Sequence, residues 1–94
     1  MATEYEWDSR KAAANLAKHG VEFNFAKAVF FDRAALTEID DSDPSEERWK
    51  TVGLADGKVL VVVHTEPDID VIRIVSARKA TKREERIYFG QTAP

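Results

Sequence analysis

Two strand-like runs, Trp49 to Ala55 and Lys58 to Glu66, are separated only by Asp56 and Gly57. That dipeptide accepts positive φ at both centres of a two-residue turn, so the runs are expected to fold back on each other as an antiparallel hairpin. Within the second run Val59 to Val63 is apolar at every position, which predicts a central strand covered on both faces. After a loop at Pro67 and Asp68, the strand Val71 to Ala77 pairs with it. Under strict alternation Ile72, Ile74, Ser76 and Arg78 share one face, and Val71, Arg73, Val75 and Ala77 the other. Ala34 to Asp40 alternates loosely and adds a further strand. It leads into an exposed acidic loop, Asp40 to Glu47, that precedes the hairpin.

Helices flank this sheet. Asp8 can cap a helix over Ser9 to Lys18, with Ala12, Ala13, Leu16 and Ala17 on one face and Gly20 suited to the left-handed position beyond its end. His19 supports that helix end. Glu22 to Phe31 reads as a second helix, because Phe23, Ala26, Val29 and Phe30 recur at helical spacing. Thr81 caps a third, and Glu84 three residues later can complete a capping box. Glu4 to Trp7 has the pattern of a short edge strand. The expected architecture is α+β: two N-terminal helices, a four-stranded antiparallel sheet with a short N-terminal edge strand as an addition, and a C-terminal helix. The chain of 94 residues forms one domain over residues 1–90, with Gln91 to Pro94 as a loose tail.

Charge is unevenly placed. From Val71 onward six Lys/Arg face two Glu, a net of +4, so the rest of the chain carries −7 within a total of −3. A polyanion can be drawn to such a cluster although the whole chain is acidic. The absence of cysteine excludes disulfides and thiolate metal sites. No His/Asp/Glu array has metal-ligand spacing, and no glycine-rich phosphate loop is present, so neither a metal nor a cofactor is expected. The longest apolar run is too short to cross a bilayer and the polar N-terminus is unlike a signal peptide, which together predict a cytoplasmic chain. At the end of the last strand, Arg78, Lys79, Lys82 and Arg83 converge with the helix N–H groups on a predicted phosphate site.

Four segments, EWDSRKAAANLAKHGVEF (Glu6 to Phe23), EERW (Glu46 to Trp49), VLVVVHTE (Val59 to Glu66) and IRIVSARKATKREERIYF (Ile72 to Phe89), resemble the BrnT toxin family. The likeness covers nearly the whole chain in order, missing the acidic loop and the tail. It implies a type II toxin: a RelE-like, metal-independent endoribonuclease that inhibits translation. Its expected partner is a BrnA-type antitoxin with a ribbon-helix-helix DNA-binding domain, in a 2:2 heterotetramer.

Metal-free RNA cleavage needs cations that stabilise charge on the phosphoryl oxygens, together with a base and an acid. Arg78 is the first candidate cation and Arg48 the second. Glu47, Glu84 and His64 are candidate bases, and Tyr88 or a lysine a candidate acid. Lys79, Lys82, Arg83, Arg86 and Lys11 are expected to contact RNA. Each has a plainer reading: Glu84 as capping partner of Thr81, His64 as a core histidine, Lys11 as the partner of Asp8, and Arg73 as the partner of Glu38 or Asp40. Two other functions use the same basic corner, a nucleic-acid-binding module without catalysis and a docking surface for an acidic protein.

Overall fold

The Asp56–Gly57 turn forms as its residues dictate, with φ of 48° and 78° at the two centres, and it joins the two central strands of a five-stranded sheet. The computed structural model describes residues 2–92, with side chains described as far as Gly90. In chain order the elements are β1 (Glu4–Glu6), α1 (Ser9–His19), α2 (Phe23–Ala26) with a 3₁₀ segment (Lys27–Phe31), β2 (Leu36–Asp40), β3 (Arg48–Ala55), β4 (Lys58–Asp68), β5 (Val71–Lys79) and α3 (Lys82–Thr92). Strand order is β1-β5-β4-β3-β2.

The antiparallel meander β2 to β5 is present, but the expected four-stranded antiparallel sheet is a five-stranded mixed one. β1 runs parallel to β5, with Tyr5 opposite Ile72. A parallel neighbour needs a long crossover, and here everything between β1 and β5 supplies it. The loop expected at Pro67 and Asp68 is strand instead, with a register shift between Thr65 and Asp68 that accommodates the proline's missing donor. The tail expected from Gln91 begins inside α3, and Ala93 and Pro94 lie outside the described residues.

One face of the sheet packs under α1, α2 and the 3₁₀ segment, around Phe23, Ala26, Val29, Leu60, Val62, Ile74 and Ala77. The single helix expected over Glu22 to Phe31 splits because its buried residues, Phe23, Ala26 and Val29, fall every third position. Three residues per turn is 3₁₀ periodicity. Gly53 on β3 lets this segment approach: a Cβ there would lie 3.0 Å from both the Cβ and the carbonyl oxygen of Val29.

α1 turns a different stripe inward from the one its alanines suggest. Leu16 is 44% exposed and Asn15 is buried at 6%. Asn15 Nδ2 donates to the carbonyls of Val21 (3.0 Å) and Ala77 (2.8 Å), and its Oδ1 accepts from Ala77 N–H at 3.1 Å. β1 pairs with β5 only up to Arg73, so the Asn15 amide satisfies the edge of β5 where no strand does.

The opposite face carries a smaller cluster of Val52, Val59, Val61 and Tyr88 under α3. Tyr88 donates its hydroxyl to Asp32 Oδ2, and Asp32 also accepts from Leu54 N–H at 2.8 Å and Ala34 N–H at 3.0 Å. Among the described residues no helix is long and apolar enough to cross a membrane.

Candidate nucleic-acid interface

Strict alternation would put Arg78 on the face of Ile72 and Ile74. It does not lie there. Val63 pairs with Ser76 but His64 with Ile74, so Val75 is an extra residue, a bulge that reverses the phase of β5. Ile74 and Ala77 therefore both reach the core under α1 and α2, while Ser76 and Arg78, the latter opposite Val61, face the α3 side. The bulge turns Arg78 toward the helix that follows the strand.

There Arg78 meets Glu84. Nη1 and Nη2 donate to Oε1 at 2.7 Å and Oε2 at 3.0 Å, a two-pronged pair. The capping box also forms: Glu84 Oε1 accepts from Thr81 N–H at 2.8 Å, and Thr81 Oγ1 accepts from Glu84 N–H at 3.2 Å. Arg78 and Thr81 together hold the Glu84 carboxyl at about 2, while Glu84 raises Arg78. The open phosphate pocket expected from the sequence is thus occupied by a carboxylate of the protein itself. A phosphate would reach the Arg78 fork by displacing Glu84, in whose place it offers the same oxygen geometry.

The other expected site residues disperse. His64 lies on the opposite face, 2% exposed. Its Nε2 is 2.7 Å from Thr51 Oγ1 and its ring meets the edge of Phe30 at 4.9 Å. Burial lowers its pKa to about 4, and a group with no access to solvent cannot take a proton from RNA. Tyr88 is 3% exposed and its hydroxyl is donated to Asp32, with a pKa raised to about 12 by burial and by Asp32; it anchors α3 to the core and does not face the open side where RNA would lie. Glu84 is a poor base while Arg78 is clamped to it.

Arg48 pairs with Glu46 at 3.2 Å and Asp43 at 3.4 Å in the acidic loop. Glu47 beside it is exposed, as are Lys79, Lys82, Arg83 and Arg86 around the start of α3. Lys11 stands apart, lining a cavity of about 350 Å³ with Glu6, Trp7, Asp8 and Arg73. Arg73 pairs with Glu6 on β1 at 2.6 Å, not with Glu38 or Asp40, because β1 is the strand beside it.

Sequence reasoning missed Lys50. By register it shares the α3-side face with Val52, Glu38 and Leu36, and its Nζ lies 3.1 Å from Glu38 Oε1. Its position on a strand whose Val52 is core was the available signal. Among the described residues no group of three His, Asp or Glu could hold a metal ion.

A mixed five-stranded sheet with helices on both faces, one face only partly covered and lined by Arg78, Glu84, Lys50 and Glu38, defines a small α+β domain with a charged open cleft. The family model described as "Ribonuclease toxin, BrnT, of type II toxin-antitoxin system" matches residues 7–84. The chain belongs to this BrnT family. It is similar in fold to the Brucella abortus ribonuclease toxin BrnT, known from a 1.1 Å crystal structure, with a TM-score of 0.71 at 23% identity over 86% of this chain and 100% of that one. No curated protein matches the chain.

Proposed function

We propose that this toxin is a metal-independent endoribonuclease of RelE-like mechanism that blocks translation by cutting RNA, and that a BrnA-type antitoxin with a ribbon-helix-helix domain neutralises it in a 2:2 complex. Family membership supports the ribonuclease activity and the existence of an antitoxin. The observation that carries the site is the Arg78 fork, held flat by Glu84 on the open side of the sheet.

In this reading the substrate's 2′-hydroxyl attacks the adjacent phosphorus in line and the 5′-oxygen leaves, giving a 2′,3′-cyclic phosphate. Arg78 moves from Glu84 to the phosphoryl oxygens and stabilises their growing charge, which is the largest contribution available without a metal. Glu84 acts as a positioning residue that keeps the guanidinium oriented before RNA arrives. Lys79, Lys82, Arg83 and Arg86 hold the flanking phosphates, and binding should weaken steeply with salt. Among the expected proton-transfer groups, Glu47 and the lysines are the accessible ones.

The test is cleavage of a labelled RNA by the purified chain in excess chelator. Cleavage should persist in chelator and fall by about a hundredfold or more in Arg78→Ala, with the circular dichroism spectrum retained. Cleavage that chelator stops would refute the metal-independent mechanism, and full activity in Arg78→Ala would refute the site.

A further inference from the structure

Between β2, β3 and α3 lies a cleft of about 180 Å³ lined by Leu36, Glu38, Lys50, Val52, Glu84 and Ile87. Its walls are aliphatic: Leu36 and Val52 on the sheet, and Ile87 on the helix. Ile87 remains 56% exposed. The polar groups of its lining are Glu84, to which Arg78 is clamped, and the Lys50–Glu38 pair.

We infer that this cleft is a nucleobase subsite and that it selects guanine. The inference rests on the reading of RNA as ligand given above. A flat base has two apolar faces and one polar edge, and a slot between aliphatic side chains of a sheet and a helix accepts the faces. The edge must then meet the Glu38 carboxylate and the Lys50 ammonium, two acceptors beside a donor.

Guanine alone among the four bases carries adjacent donors, N1–H and the N2 amino group, next to an acceptor, O6. A carboxylate takes both donors at once while the ammonium reaches O6. Adenine, cytosine and uracil each set an acceptor against one of the carboxylate oxygens. Because Glu84 lines the cleft and also holds Arg78, a base seated there lies beside the phosphate that Arg78 would bind. The subsite thus chooses which linkage is cut.

Two experiments on the intact chain test this. Cleavage positions on a randomised RNA should show guanosine next to the cut at least about tenfold above adenosine, the scale of one two-pronged base contact. Glu38→Gln should reduce that ratio about tenfold, because an amide offers one acceptor and one donor. Cleavage with no guanosine preference, or a preference indifferent to Glu38→Gln, would overturn the subsite and leave the ribonuclease standing.

The second experiment does not depend on cleavage. Guanosine monophosphate at millimolar concentration should shift the methyl resonances of Leu36, Val52 and Ile87, and adenosine monophosphate should not. Equal shifts with both nucleotides, or none with either, would overturn the subsite even in a chain that cuts nothing. Guanosine-specific shifts in a chain that does not cut RNA would preserve the subsite and refute the ribonuclease reading.

Discussion

His64 makes the stability of this protein depend on pH in a window where few other groups titrate. Its ring is 2% exposed, Nε2 meets Thr51 Oγ1, and Nδ1 has no hydrogen-bond partner. The neutral form with hydrogen on Nε2 donates to Thr51, which in turn can donate to Thr37 Oγ1 at 2.8 Å, and leaves Nδ1 a bare acceptor. Protonation would add an N–H with nowhere to point, in apolar surroundings. The pKa therefore falls from 6.5 to about 4. Between those values the unfolded chain takes up a proton at this ring and the folded chain does not, so stability is complete above pH 6.5 and declines as pH falls toward 4. At 1.36 kcal/mol per unit, the loss from pH 7 to pH 4.5 is roughly 2.5 kcal/mol. Glu84, whose carboxyl is held at about 2, contributes a similar acid loss only below its ordinary value near 4.5. The assay is urea unfolding followed by tryptophan fluorescence, with Trp49 directly across the strand pair from His64, for wild type and His64→Leu at pH 7, 6, 5 and 4.5. The stability gap between the two proteins should shift in favour of the leucine variant by roughly 2.5 kcal/mol over that range, because carboxylates common to both cancel. A gap that stays constant would refute the reasoning.

Two further substitutions test how the fold supports the site. Asn15→Ala removes the groups that satisfy the N–H and C=O of Ala77 and the C=O of Val21, and should cost about 3–5 kcal/mol in the same urea assay, the penalty for three orphaned buried backbone groups; a loss below about 0.5 kcal/mol would mean water replaces the amide. Tyr88→Phe removes the hydroxyl donated to Asp32 and should lower stability by about 1–2 kcal/mol while RNA cleavage continues. Abolished cleavage in a folded Tyr88→Phe protein would return Tyr88 to the list of acids.

What the sequence disclosed was local. Asp56–Gly57, the cap at Asp8, the left-handed Gly20 with φ of 71° and the Thr81–Glu84 box each depend on residues within a few positions, and each formed as its chemistry requires. What it concealed depends on neighbours far along the chain. Nothing near Tyr5 says that its strand will lie parallel to β5. Asn15 looks like a polar break in an alanine stripe until Ala77, 62 residues away, presents an unpaired strand edge. The Lys50–Glu38 pair exists because β2 and β3 take the register that sets those two residues opposite. The basic corner was visible as charge, but the carboxylate that fills it was legible only as a helix cap.

The Val75 bulge joins the core to the site. Ile74 and Ala77 are both buried under α1 and α2, and a regular strand cannot turn residues three apart to the same face. One extra residue makes it possible, and the same half-turn carries Arg78 to the face where α3 begins. Without the bulge, Arg78 would point into the layer of Leu60, Val62 and Ile74, where an unpaired guanidinium is untenable. With it, the guanidinium finds Glu84, and Glu84 in turn fixes the first turn of α3. Packing and the site are therefore not separate demands on β5: the irregularity that closes the core is the one that places Arg78 against Glu84 at the start of α3.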